Sequence, residues 1–390
     1  LVASPVANRA AFTTAAREIR SLTAMRGVAA LFVVVFHLRP FLRPHLDLDQ
    51  VTPIFGSGYL WVDFFFLLSG FVLSHANGRS SGAGVAFRVR VRDFLAKRLA
   101  RIYPLHVVAL LGAIGLECVQ WVRRPAAAFE GESWGTLLSH VIMVHAWGFH
   151  GRLTWNRPSW SISAEWAAYL LFPVLAVFAA RVPRRAVLPL VAVLAACPLV
   201  LQLGLGRSLD LTADFGVLRC LSEFTLGVVL HRVWRGLANR HARVLGHDVV
   251  VAVCLLAAFL VQHMAFPLSD GATVAVFAGL LLSLACNDGV SSRVLGVRPL
   301  HWLGVVSYSI YMTHHLLLRG MHGGFELIGK PVTPHSVALF GALYIGLVLL
   351  VSGLAYHLVE EPARTWLTRL LLGQRVEQAR PVRSPYQEPA

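Results

Sequence analysis

Charge is scarce in this sequence. Asp, Glu, Lys and Arg make up 14% of its 390 residues, where soluble domains carry about a quarter. That scarcity excludes an ordinary string of soluble domains. Cysteine is sparse too: Cys118, Cys197, Cys220, Cys254 and Cys286 all lie in apolar stretches without metal-type spacing. They read as small buried hydrophobes, which excludes a disulfide scaffold and a thiolate metal centre. No internal repeat is present, so the inverted-repeat plan of many transporters is not legible.

What is abundant is apolar sequence, 56% of the chain, gathered in long blocks. A helix that crosses a bilayer needs ~20 mostly apolar residues, because lipid offers backbone polar groups no partner. Ten stretches meet that need: 21–41, 55–76, 104–121, 160–181, 186–203, 213–235, 249–267, 271–287, 300–320 and 335–359. An eleventh, 134–150, is shorter, carries His140 and His145, and reads as re-entrant or interfacial. The expected fold is therefore an all-α polytopic membrane protein. Its parts are a polar N-terminal extension over 1–20, a membrane domain over 21–365 and a disordered tail over 366–390. The extension does not read as a cleavable signal.

Cytoplasmic loops carry the excess of Lys and Arg. With ten spans and both termini in the cytoplasm, and residues at a span's end counted with the adjoining loop, nine of the 35 Lys and Arg fall outside and two, Arg26 and Arg219, lie within spans. A crossing at 134–150 would invert every later span and put Arg232, Arg235, Arg240 and Arg243 outside. The net charge of +15 is thus explained by topology and anionic headgroups, and nucleic acid is not expected as a partner.

Ionisable residues inside a membrane are costly and mark function by default. The first span, SLTAMRGVAALFVVVFHL, holds Arg26 and His37 on one helical stripe, roughly 16 Å apart along the axis. Alone, Arg26 is a snorkelling anchor and His37 a satisfied buried histidine. Asp63 in the second span falls at the His37 depth, where a carboxylate would orient the imidazole; Ser69-Gly70 below it reads as a helix-packing contact. Arg98 and Arg101, three apart on one helical face, suit a phosphate or pyrophosphate, although juxtamembrane arginine needs no ligand to explain it. Glu165, below Trp160, also counts to the His37 level. Arg219 and Glu223, four apart, read as an ion pair. Tyr308, Tyr311, His314 and His315 add polar groups to the ninth span. Adjacent histidines on a helix point about 100° apart, so His314 and His315 do not read as metal ligands, and no metal is expected.

Taken together and in order, these motifs resemble the membrane acyltransferase-3 family, which includes O-acetylases of bacterial surface polysaccharides and acylases of macrolide-type antibiotics. The resemblance runs over about residues 20–365. It rests on Arg26 and His37 within S-L-x-x-x-R-G-x-A-A-L, on V-D-x-F-F-x-L-S-G-F from Val62 to Phe71, and on R-x-x-R at Arg98 and Arg101 followed by Tyr103-Pro104. Trp160-Ser161-Ile162 with Glu165, Ser307-Tyr308-Ser309-Ile310-Tyr311 with His314, and Glu361-Pro362 complete it. No extracytoplasmic hydrolase-like domain follows the last span, as it does in some members.

The resemblance implies an inner-membrane enzyme that moves an acyl group, commonly acetyl, from acyl-CoA to a hydroxyl of a glycan or macrolide acceptor. It implies His37 as the catalytic residue and Arg26, Arg98 and Arg101 as donor-binding residues, with Tyr308 and His314 counted on the donor side. Asp63 and Glu165 are expected to join His37 in one outward-opening site. The rival class is a membrane transporter or exporter, which would also carry charge in its bundle.

Overall fold

The computed structural model describes residues 18–373, apart from 44, 78–84, 126–127, 238, 265, 267 and 329–332. The expected extension before 18 and tail after 373 lie outside the described residues. All regular structure among the described residues is helical. The elements that position the site are α1 (Arg20–Leu42), α2 (Trp61–Asn77), α3 (Val85–Arg123), α4 (Trp134–Val141), α5 (Trp160–Arg181), α6 (Arg184–Leu205), α7 (Gly216–Gly236), α8 (Asp248–Met264), α9 (Ser269–Cys286), α10 (Arg298–Val305), α11 (Ser307–Ile328), α12 (Pro334–Ala355) and α13 (Glu361–Leu372).

Each of the ten apolar stretches is helical, and among the described residues seven helices are long and apolar enough to cross a membrane. The other three fail for separate physical reasons. The helix α7 carries Arg219, Glu223, Arg232 and Arg235, α8 is 17 residues long, and the stretch 300–320 is broken between α10 and α11. Lipid is the solvent of the outer faces: α6 leaves Leu188, Val193, Val200 and Leu203 exposed, a stripe that water would not tolerate at that size.

Glycine sets the two closest helix crossings. A Cβ on Gly70 would stand 2.0 Å from the Phe224 carbonyl oxygen, and one on Gly227 2.0 Å from that of Leu67. The backbones of α2 and α7 therefore touch in parallel register, and Ser69-Gly70 is that contact. Likewise a Cβ on Gly304 would lie 1.9 Å from the Thr23 carbonyl oxygen, which seats α10 on α1.

Two expectations about segments change, and one is kept. The helix α3 has 39 residues and so runs about 58 Å, fusing the basic loop and the third span into one rod that overshoots the bilayer core. The segment 134–150 holds only the eight-residue α4 followed by turns, a helix too short to cross. A π-turn over Tyr356–Glu360 leads from α12 into α13, so helix continues past the expected boundary at 365. The end of α13 lies along the start of α3, where Arg92 donates to the Leu371 carbonyl at 3.1 Å.

Candidate active site

A cavity of about 140 Å³ opens between α1, α2, α3, α5 and α11, with Arg26, Ser69, Arg98, Arg101, Glu165 and Tyr308 on its wall. Three guanidinium groups share this small wall with one carboxylate, Glu165.

Their commitments differ. Arg26 donates from Nε and Nη2 to the Gly304 carbonyl, at 3.1 and 2.6 Å. That oxygen belongs to the last turn of α10, where the helix ladder ends and a cation is favoured. Arg26 therefore caps α10, and Ser307 Oγ donates to the same oxygen at 2.9 Å. This tertiary cap explains the break at Val306. Arg101 pairs with Glu360 of the π-turn and lies over the Tyr308 ring, 5.7 Å from its centroid. Glu360 also accepts from Ser309 Oγ at 2.6 Å, and Tyr308 donates to the Ile102 carbonyl at 2.6 Å. Arg98 Nε is buried without a hydrogen-bond partner, leaving it the guanidinium with donors to spare. Glu165 accepts from Tyr169 at 2.6 Å.

His37 lies outside this wall, further along α1. Its Nδ1 is 2.9 Å from the Val33 carbonyl oxygen and 3.3 Å from His314 Nε2. His314 is fully buried, and its Nδ1 is 2.7 Å from the Tyr311 carbonyl oxygen. A carbonyl only accepts, so the His314 proton sits on Nδ1 and its Nε2 presents a lone pair. The His37 proton then sits on Nδ1, shared between Val33 and His314, and His37 Nε2 is left unprotonated. The ring of His315 stands 5.6 Å from that of His37. Tyr311, one turn before His314, lines the cavity and accepts from Ser161 Oγ at 2.8 Å. Its ring is 5.8 Å from that of His314, so Tyr311 and His314 link the cavity to His37.

The structure does not bring Asp63 or Glu165 to His37. Both Asp63 oxygens are taken by Arg219, with Nε and Nη2 each 2.6 Å away, and both side chains are fully buried. The parallel register of α2 and α7 puts these residues opposite each other, two turns above the Gly70–Gly227 contact. Arg219 spends its remaining donors on the Leu211 and Tyr59 carbonyls, each at 3.2 Å. It therefore pairs with Asp63, not with Glu223, whose two oxygens are buried without hydrogen-bond partners. Glu165 belongs to the arginine wall because α5, entered through a 3-10 turn over Arg157–Ser159, starts beside Arg219, whose guanidinium is 5.3 Å from the Trp160 ring. Residues counted on from Trp160 therefore lie further along the bundle than Asp63. His314, counted on the donor side, instead touches His37, while Tyr308 stays on the cavity wall. Sequence reasoning passed over Glu360 and gave Ser309 no role of its own; the Glu361-Pro362 motif next to Glu360 was the available signal.

A family model described as an acyltransferase domain matches residues 19–357. Among curated proteins, the acyltransferase MdmB of Streptomyces mycarofaciens is 28% identical over 90% of this chain and 93% of its own length. The peptidoglycan O-acetyltransferase OatA of Listeria monocytogenes is 21% identical over 89% of this chain and 56% of that protein. The O-acetyltransferase OatA of Staphylococcus aureus is 22% identical over 89% of this chain and 57% of its own length. The chain thus spans a little over half the length of these two relatives. No solved structure matches the chain.

Proposed function

The chain belongs to this membrane acyltransferase-3 family, and we propose that it is an O-acyltransferase that moves an acyl group, acetyl in the simplest case, from acyl-CoA to a hydroxyl of a glycan or macrolide acceptor. The observation that carries this reading is the convergence of Arg26, Arg98 and Arg101 on one cavity, with an unprotonated ring nitrogen of His37 further out on the same α1 stripe. In this reading the arginines hold the phosphates of CoA at the cytoplasmic side and the pantetheine arm carries the thioester towards His37. An alcohol is a weak nucleophile at neutral pH. His37 Nε2 takes the hydroxyl proton as the oxygen attacks the thioester carbon, the C–O bond forms, the C–S bond breaks, and the CoA thiolate recovers the proton. An acyl-imidazole on the same nitrogen, transferred in a second step, uses the same geometry. The acceptor assignment follows the peptidoglycan named for one relative.

Arg98 gives the cleanest test of donor binding, because its Nε has no protein partner to lose. Arg98→Gln is expected to weaken acyl-CoA binding by about 1–3 kcal/mol, more at low salt than at high salt, with an unchanged melting temperature. Arg101→Ala should weaken it too, and also lower stability by stranding Glu360. Calorimetry with acetyl-CoA reads the first effect, and unaltered affinity in the Arg98→Gln, Arg101→Ala double variant returns both residues to plain topology. Release of CoA thiol that depends on an added glycan or macrolide separates transferase from transporter.

We also propose ten spans, both termini in the cytoplasm and a place in the inner membrane. A single cysteine introduced after Ser133 should then react with an impermeant thiol reagent in intact cells, and one near Gly236 should not. Labelling at the second site overturns the ten-span topology.

A further inference from the structure

Three histidines gather away from the cavity and from His37. His106 comes from α3, His140 from the end of α4, and His145 from the turns beyond it; they are 1%, 1% and 5% exposed. One ring nitrogen of each lies within 4.8 Å of one from each of the others. The Nδ1 atoms of all three are buried without a hydrogen-bond partner.

Each Nε2 is engaged elsewhere. His106 Nε2 is 2.8 Å from the His140 carbonyl oxygen, so it carries the proton and Nδ1 is a bare lone pair. Ser159 Oγ donates to the Asn156 carbonyl at 2.7 Å, so it accepts from His145 Nε2, 3.1 Å away. His145 Nδ1 is a bare lone pair as well. His140 Nε2 is 3.0 Å from Thr154 Oγ1, which accepts equally well. Backbone strain marks the same place. Buried Met143, between His140 and His145, has φ of 57°, a left-handed conformation uncommon outside glycine.

Two bare lone pairs and a third ring nitrogen without a partner in one buried cluster are unfavourable, since each unsatisfied buried polar atom costs about 1–3 kcal/mol. Neutral imidazoles with the far nitrogen fixed by a carbonyl or hydroxyl are the ligand form that borderline divalent cations take. We propose that His106, His140 and His145 form a binding site for a divalent transition-metal ion of the Zn²⁺ class, with a solvent molecule completing the coordination. The ion clips the re-entrant segment to α3 beside the start of α5. The rings of His140 and His145 stack 3.6 Å apart and 8° from parallel, so loading requires one ring to turn about its Cβ–Cγ bond. His140 is that ring, because Thr154 can donate to it as readily as accept. None of the three lines the cavity, so the site is structural and does not depend on the acyl-transfer reading.

The full chain, purified in detergent with any histidine tag removed, is assayed for metal by mass spectrometry, stripped with chelator and titrated with Co²⁺ and Zn²⁺. The expected result is one metal ion per chain, a lowered melting temperature on stripping that Zn²⁺ restores, and the visible absorption of four-coordinate Co²⁺. His140→Gln should abolish the Co²⁺ signal, and His263→Ala, an exposed histidine on α8, should keep it. Should His140→Gln fail to fold, the wild-type titration decides alone. Stripped, folded wild-type protein that neither develops the Co²⁺ spectrum nor gains stability with Zn²⁺ overturns the site, as does a spectrum that survives in His140→Gln.

Discussion

His37→Ala is expected to lower the rate of acyl transfer by about 100- to 10,000-fold, with insertion, melting temperature and acyl-CoA affinity at wild-type values. The size is that of a positioned general base, and the tolerance of the fold reflects the contacts His37 makes. Its Nδ1 contacts are the carbonyl of Val33, one turn away on its own helix, and His314; neither is a buried charge. In the proposed mechanism His314 would act through His37, which it contacts at 3.3 Å, as a positioning residue. His314→Ala should therefore lower kcat, leave the acyl-CoA KM unchanged, and add little to His37→Ala, because residues that work as one unit are not additive. Glu165→Gln should behave differently. Its place on the arginine wall puts the effect on acyl-CoA binding, and its cost should add to that of His37→Ala. Steady-state kinetics of the two double variants read both statements. Wild-type turnover in well-folded His37→Ala protein removes the mechanism, and a Glu165→Gln effect absorbed by His37→Ala puts the carboxylate back beside the imidazole.

Those contrasts mark how far the sequence was legible. Apolar length located all ten helical stretches, because the need to satisfy backbone groups within the segment acts locally. The R-x-x-R spacing put Arg98 and Arg101 on one helical face, since faces follow from residue number, and both line one cavity with Arg26. Depth was less legible. Counting from the start of an apolar stretch assumes that neighbouring helices start at one level, and α5 starts beside Arg219, the partner of Asp63. That offset separated Glu165 from His37. Tertiary partners were illegible for a related reason: the capping of α10 by Arg26 joins residues 278 apart, and no local pattern records it. The three histidines escaped because His106 and His140 lie 34 residues apart, with the strained turn at Met143 closing the gap.

The pairing of Asp63 with Arg219 leads to the second large effect, on stability. Asp63→Ala alone, or Arg219→Ala alone, is expected to cost about 3–5 kcal/mol, the loss seen when one partner of a buried ion pair is removed. The penalty comes from the charge left behind: Arg219 without Asp63 retains only two carbonyls, both at 3.2 Å, and neither carries a negative charge. Replacing both residues by apolar ones of similar volume removes both charges at once, and such exchanges are often neutral or stabilising. The double variant Asp63→Leu, Arg219→Met should therefore recover most of the stability lost by either alanine variant. The same double variant separates two roles for Asp63. If the carboxylate holds α2 to α7 and nothing more, the apolar pair restores turnover together with the melting temperature. If it supports the His37 imidazolium, the double variant folds but turns over as slowly as His37→Ala. Melting temperature and CoA-thiol release, measured on one preparation, decide between them; the fully occupied carboxylate oxygens favour restored turnover.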